Sequence, residues 1–205
     1  IKTDGTITHE NVDLSAVEED ADAKAYIAGI TEKFDALQKK VVAKTTVTLT
    51  TKGADGKRAV RSAETNLGDL CADAYRLLLG ADVAFVNGGG VRADINAGDI
   101  TYGDIIKVHP FGNSACLVEV TGQQLKDALE LGSAAYPGES GGFLQVSGLT
   151  YTINADIPSS VVKNDKSEFV KVDGAYRVSD IMVGGQPLDV NKTYTLASHN
   201  YMLKD

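Results

Sequence analysis

The sequence predicts an α+β (mixed α/β) domain, a mixed sheet with packed helices, preceded by a long helix. Three observations lead there. Helical periodicity marks the early part of the chain and short alternating or β-branched segments mark the last third, interleaved but without a regular strand–helix–strand series. No internal repeat or low-complexity segment breaks the pattern. The 205 residues are 43% apolar and 23% charged, which suits one domain, or one domain plus an appendage, with a real core.

Residues 13–41, DLSAVEEDADAKAYIAGITEKFDALQKKV, read as one amphipathic helix. Ser15 and Glu18 match a capping box, with acidic residues crowding the first turn. Ile27, Ile30, Phe34, Leu37 and Val41 recur at three- and four-residue steps and form one apolar stripe. Lys39 and Lys40 sit near the carboxyl end, where the helix dipole favours cations. Such a helix either lies on its own domain's surface or joins that domain to another.

VAKTTVTLTT then alternates apolar residues with Thr and predicts a strand, followed by the polar turn KGADGKR. TNLGDLCADAYRLLLG predicts a helix with Leu67, Leu70, Cys71, Ala74 and Leu78 on one face and Gly80 as its stop. DVAFV is a short buried strand. DITYGDIIKVHPFGN predicts a short helical turn capped by Thr101 and broken at Pro110. ACLVEVTG is a strand that runs into the helix QQLKDALELGSAA, capped by Thr121. FLQVSGLTYTIN, YRVSDIMVGG and TYTLASHN supply the strands of the last third.

The net charge of −8 argues against non-specific binding to nucleic acid or anionic membrane surfaces. A small anionic ligand would need its own local cluster of cations. No run approaches the roughly 18 apolar residues of a membrane span. IKTDGTITHEN does not read as a signal peptide; it reads as the middle of a longer sequence. Cys71 and Cys116 lie in apolar contexts and read as small buried hydrophobes. His9, His109 and His199 are far apart and lack the spacing of metal ligands, so no metal site is expected.

The segment ADVAFVNGGGVRADI carries the chemistry. A glycine triplet implies either positive φ or close approach to the backbone. Gly88 to Ala93 formally fit a dinucleotide fingerprint, but that motif needs a helix at once, and DINAGDIT is turn-like. A tight loop after a buried strand is the plain alternative. A ligand loop is the third: bare backbone admits a flat or phosphorylated ligand, Asn87 donates and accepts, and Arg92 grips an anion with its fork. Arg61, Phe111, Asn113 and Tyr201 could join it, although singly each fits an ordinary surface or core position.

Taken in order and at their separations, ETNLGDLCADAYR, NGGGVRADI, ITYGDIIKVHPFGN, GGFLQVSGLTYTI and YTLASHNY resemble the carboxy-terminal domain of the 5′-nucleotidase family. That family includes UDP-sugar hydrolases and 2′,3′-cyclic phosphodiesterases. The resemblance covers roughly residues 45–205, and the pairing of NGGGVR with PFGN is its specific part. It implies a 5′-nucleotidase carboxy-terminal-like fold and a substrate-binding role. Phe111 and Tyr201 would sandwich the base, with Tyr201 where Phe is usual. Asn87 and Asn113 would meet the base, Arg61 and Arg92 would hold the phosphate or ribose end, and the Gly142 loop would border the base.

The resemblance also implies an amino-terminal metallophosphoesterase domain of the same protein, with two divalent metal ions that this chain lacks. Residues 1–44 would be that domain's tail and the connecting interdomain helix. A GGDG segment that binds the ribose would follow Asp205. The chain alone is then expected to bind a nucleotide or nucleoside without catalysing hydrolysis, in a protein at the cell surface, outside the cell or in the periplasm. The alternative is a non-catalytic nucleotide- or nucleoside-binding module.

Overall fold

A computed structural model of the chain describes residues 4–7, 9, 11, 13–15 and 17–203, which fall into two units, 1–40 and 41–205. In the first unit α1 spans Ala21–Gln38. It starts later than the sequence predicts, and Ser15 does not cap it. Asp20 is the cap, its carboxylate accepting from the Ala23 amide at 2.8 Å. The Asp13 carboxylate instead accepts from the Ser15 amide at 2.9 Å, a local turn that competes with helix. Ala16, inside the predicted capping motif, and Asp205, at the predicted truncation, lie outside the described residues. The stripe residues Ile27, Ile30, Phe34 and Leu37 are exposed, and Val41 belongs to a strand.

The second unit runs β1 (Val41–Thr45), α2 (Asn66–Leu79), β2 (Val83–Asn87), β3 (Gly98–Thr101), α3 (Tyr102–Val108), β4 (Ala115–Thr121) and α4 (Gly122–Ser133). It continues with β5 (Leu144–Ser147), β6 (Leu149–Ile153), β7 (Val161–Lys163), β8 (Phe169–Val172), β9 (Val178–Val183), β10 (Gln186–Pro187) and β11 (Thr193–His199). The central sheet has the order β4-β11-β2-β5; β11 and β2 are parallel and the other pairs antiparallel. It is therefore mixed, as the sequence predicts. A three-stranded sheet, β10-β9-β6, and two antiparallel pairs, β1–β3 and β7–β8, complete the unit.

β2 explains why VAFV is apolar without alternation. Val83 and Phe85 pack into one buried cluster with Leu125 and Leu129 of α4 and Leu149, Val178 and Ile181 of the smaller sheet. Val86 packs into another with Leu67, Cys71 and Ala72 of α2 and Val108 of α3. A strand covered on both faces has no polar side to show.

α2 ends as predicted, Gly80 closing the helix in the left-handed conformation, and it begins on Thr65, whose hydroxyl accepts from the Gly68 amide. Its buried face differs from the predicted one. Leu67, Gly68, Cys71 and Ala72 are buried, whereas Leu70, Ala74 and Leu78 are exposed. Leu67 meets the sheet beside small residues, and position 68 has to be glycine because a Cβ there would strike the Gln145 side chain. α3 and α4 both begin with a full capping box, on Thr101 and Thr121.

The strand predicted over VAKTTVTLTT ends early. The Thr45 hydroxyl donates to the Val47 carbonyl at 2.8 Å and turns the chain out of the ladder. GDIT, read as turn-like, is strand β3 because β1 pairs with it from Val41 to Thr45. Cys71 is buried, and burial pushes its thiol up to about 12. Cys116 is only half-buried, contrary to expectation, because it lies on the edge strand β4.

Candidate functional site

None of the three glycines after β2 has positive φ; Gly88–Gly90 form one 3-10 turn. They permit close approach. A Cβ on Gly88 would overlap the Val60 carbonyl, one on Gly89 would come within 2.9 Å of the Gly141 carbonyl, and one on Gly90 within 2.9 Å of Asn87 Oδ1. The Gly88 amide donates to the Phe143 carbonyl at 2.7 Å and the Gly89 amide to that of Gly141 at 2.9 Å. The Ser140 amide donates to the Arg61 carbonyl at 2.9 Å, so three loops meet at this turn. No helix follows Gly90 until Tyr102, which excludes the dinucleotide fingerprint.

Beside the turn lies an open cavity of about 470 Å³. Arg61, Asn87, Phe111, Asn113, Gly142 and Tyr201 all line it, together with Gly89, Gly90, Gly141 and Met202. Arg92 stands outside the lining. Its guanidinium carbon lies 5.9 Å from the centre of the Phe111 ring, and Nη1 donates to the Gly89 carbonyl at 3.2 Å.

Phe111 and Tyr201 are 61% and 66% exposed, unusual for rings held by ordered loops. Their loops leave neighbouring strands at one end of the sheet, where Ala115 of β4 faces His199 of β11. Two hydrogen bonds tie them: the Ser114 amide donates to Asn200 Oδ1 at 3.0 Å, and the Asn200 amide donates to the Ser114 carbonyl at 3.0 Å.

Two polar atoms of the cavity's residues, Asn87 Oδ1 and Arg61 Nε, are buried and have no hydrogen-bond partner among the described residues. Asn87 is 8% exposed, and its amide nitrogen donates to the Gly141 carbonyl at 3.2 Å, which fixes which end is the acceptor. Buried groups without partners are uncommon and imply a ligand or water opposite them. Arg58, which the sequence reading missed, sits near Arg61 and Arg92. Burial, then the charges of those two arginines, lower its pKa. The spacing of Arg58 and Arg61 in KRAVR was the available signal.

The structure also assembles an aromatic group that sequence separation hid. The rings of His199 and Tyr201 lie 6.2 Å apart at 28°, those of Tyr75 and His199 5.8 Å apart, and those of Tyr75 and His109 meet edge-on at 6.4 Å. Burial holds the pKa of both imidazoles below the usual histidine range, and His109 lowers that of His199 further.

A larger cavity of about 510 Å³ between α2 and β5–β6 carries Glu64, Asp69 and Asp73 on its wall. Three carboxylates against the one cation Arg76 disfavour an anion there, whereas the smaller cavity has Arg61 and no carboxylate on its wall. The smaller one can stack a flat ring, accept one hydrogen bond from it and hold a negative group. Among the described residues no group of three or more His, Cys, Asp or Glu side chains could hold a metal ion. This donor set does not fit a two-metal centre, and no bond-breaking step is derived from it.

Residues 41–205 match the family model for the 5′-nucleotidase C-terminal domain. The chain is 35% identical to the trifunctional nucleotide phosphoesterase protein YfkN of Bacillus subtilis over 195 residues, 89% of this chain and 13% of that protein. It is 37% identical to a 5′-nucleotidase of Vibrio cholerae over 146 residues, 70% of this chain and 23% of that protein. Among solved structures, a 5′-nucleotidase precursor from Thermus thermophilus aligns with a TM-score of 0.67 at 33% identity, over 91% of this chain and 34% of that one. The chain thus spans well under half the length of these relatives. With the mixed sheet, the glycine turn and the family match together, the chain belongs to the 5′-nucleotidase C-terminal domain family.

Proposed function

We propose that the chain is the substrate-binding part of a 5′-nucleotidase-type phosphohydrolase and holds the nucleoside portion of a nucleotide between Phe111 and Tyr201. One observation carries this reading: two exposed rings on tied loops border a cavity where a buried acceptor, Asn87 Oδ1, and a buried donor, Arg61 Nε, lack partners. A base supplies flat faces for the rings and an N–H for Asn87. A 5′-phosphate or ribose supplies acceptors for Arg61, with Arg58 and Arg92 adding local positive field in an acidic protein. Asn113 and the Gly142 loop border the base edge.

Hydrolysis belongs to a metallophosphoesterase domain of the same protein, where two divalent ions would activate water and stabilise both oxygens of an in-line displacement. The residues of this chain bind and orient the substrate. An exported protein is the expected setting.

Calorimetric titration with adenosine and AMP, with NAD as a control, tests this. Stacking is worth on the order of 1–3 kcal/mol per ring, so Phe111→Ala and Tyr201→Ala should each weaken adenosine binding about tenfold or more. Both rings are exposed, so thermal unfolding should barely change. Equal loss of stability and binding would make the rings core residues and overturn the reading.

A further inference from the structure

We propose that His199 is a positioning residue for the base clamp: its neutral ring is the floor on which Tyr201 stacks, so uptake of a proton there displaces Tyr201 and weakens nucleoside binding in acid. The inference rests on the reading of the cavity as a nucleoside clamp.

His199 ends β11 and is 2% exposed, and its Nδ1 has no hydrogen-bond partner among the described residues. Its backbone cannot drift, because Ala115 pairs with it from β4 and the preceding Ser198 hydroxyl donates to the Phe85 carbonyl at 2.7 Å. Tyr201 lies over its ring at 6.2 Å and 28°, while Tyr75 of α2 packs on it at 5.8 Å. A second, small cavity of about 70 Å³ runs between this group and the clamp. His109, His199 and Tyr75 line it, and it shares Phe111 and Asn113 with the 470 Å³ cavity of the clamp. The same histidine environment therefore touches both jaws.

Among the described residues, the groups around His199 offer an imidazolium no counter-ion. α2 presents Tyr75 with Cys71 nearby, β4 presents Cys116 in the next register position, and the loop after α3 presents His109. Arg92 stands over Phe111, and β2 (VAFVN) contributes no titratable side chain. None of these groups is a carboxylate. His109 and Arg92 are cationic or can become so, and His109 itself lowers the pKa of His199. The face of Tyr201 attracts a cation, but that attraction is small beside the penalty of burying an unpaired ion. Tyr201, 66% exposed, is the layer that can move and let water reach the ring.

The test is an NMR titration of the ligand-free chain from pH 8 to 5, following the His199 and Tyr201 ring protons, with Tyr201→Phe as the assignment control. Adenosine titrations run in parallel; AMP is avoided because its phosphate titrates near pH 6. The Tyr201 signals should shift with the midpoint of His199, below 6.5. Adenosine affinity should fall by about tenfold per pH unit below that midpoint. His199→Phe keeps a flat ring and should bind with no such pH dependence. Tyr201 signals that ignore the His199 titration overturn the proposal, as does an unchanged pH profile in His199→Phe. If Tyr201 follows His199 but adenosine binds at no pH, the coupling stands and the nucleoside reading falls.

Discussion

Arg92 is the residue whose role most depends on the ligand's charge. Its Nη1 already donates to the Gly89 carbonyl at 3.2 Å, so it braces the glycine turn as well as facing the clamp. A charge-assisted hydrogen bond is worth about 1.5–3 kcal/mol. Arg92→Ala should therefore weaken AMP about tenfold or more and adenosine by less than about threefold. Equal losses in paired titrations would make Arg92 a brace alone. The glycine triplet shows what one residue type can reveal. Three glycines announced a close approach, yet what approaches Gly88 and Gly89 is this chain's own backbone, at Val60 and Gly141. Those contacts join loops far apart in sequence, and no local pattern encodes them.

At the scale of elements, α4 is held by a device absent from its own sequence. The Arg177 guanidinium donates to the carbonyls of Ser133 at 2.9 Å and Tyr136 at 2.8 Å, closing the carboxyl end of the helix. Glu130, inside α4, accepts from the amides of Arg177 at 2.9 Å and Val178 at 3.1 Å, locking the helix to the start of β9. Arg177→Met should lower stability by about 3 kcal/mol, read by urea unfolding, because buried carbonyls lose their donors. Adenosine affinity should be unchanged, since this network does not line the clamp.

The caps of α3 and α4 were legible because Thr101 and Thr121 carry the signal locally, whereas the acidic run before α1 hid Asp20 behind Ser15. The buried face of α2 was legible at Leu67 and Cys71 but not at Gly68 and Ala72, because the close approach of Gln145 to Gly68 comes from β5, far away in sequence. The pair β7–β8 was also missed. Its turn is stitched by Asn164, whose side chain accepts from the amides of Lys166 at 3.0 Å and Glu168 at 2.9 Å. VVKNDKSEFVKV held that signal between two short apolar runs.

At the scale of the whole molecule, acidity is unevenly distributed. Asp69 shares the larger cavity with Glu64 and Asp73; burial, then Glu64, push its pKa up to about 6 from 3.8. The folded state thus keeps a proton that the unfolded chain releases first, and stability falls as pH rises from about 4 to 6. Asp69→Asn should raise the unfolding temperature by roughly 2 °C at pH 7.5 and leave it unchanged at pH 3.5, as thermal unfolding at both values would show. His109 and His199 act in the opposite sense. Their folded pKa values lie below 6.5, so the unfolded state takes up protons first and stability is lost as pH falls below that value.

The seven candidate site residues come from five separate stretches of chain, and six of them share one cavity. Family-specific motifs made them legible, whereas the histidines behind them escaped because only the pairing of β4 with β11 and the packing of α2 bring them close. That strand pairing has a kinetic meaning. On the proposed clamp reading, the Ser114–Asn200 bonds hold the two loops together before a ligand arrives, so capture needs little loop ordering and only the Tyr201 side chain has to adjust. Differences among bases then appear in how long each resides between the rings rather than in how fast it enters.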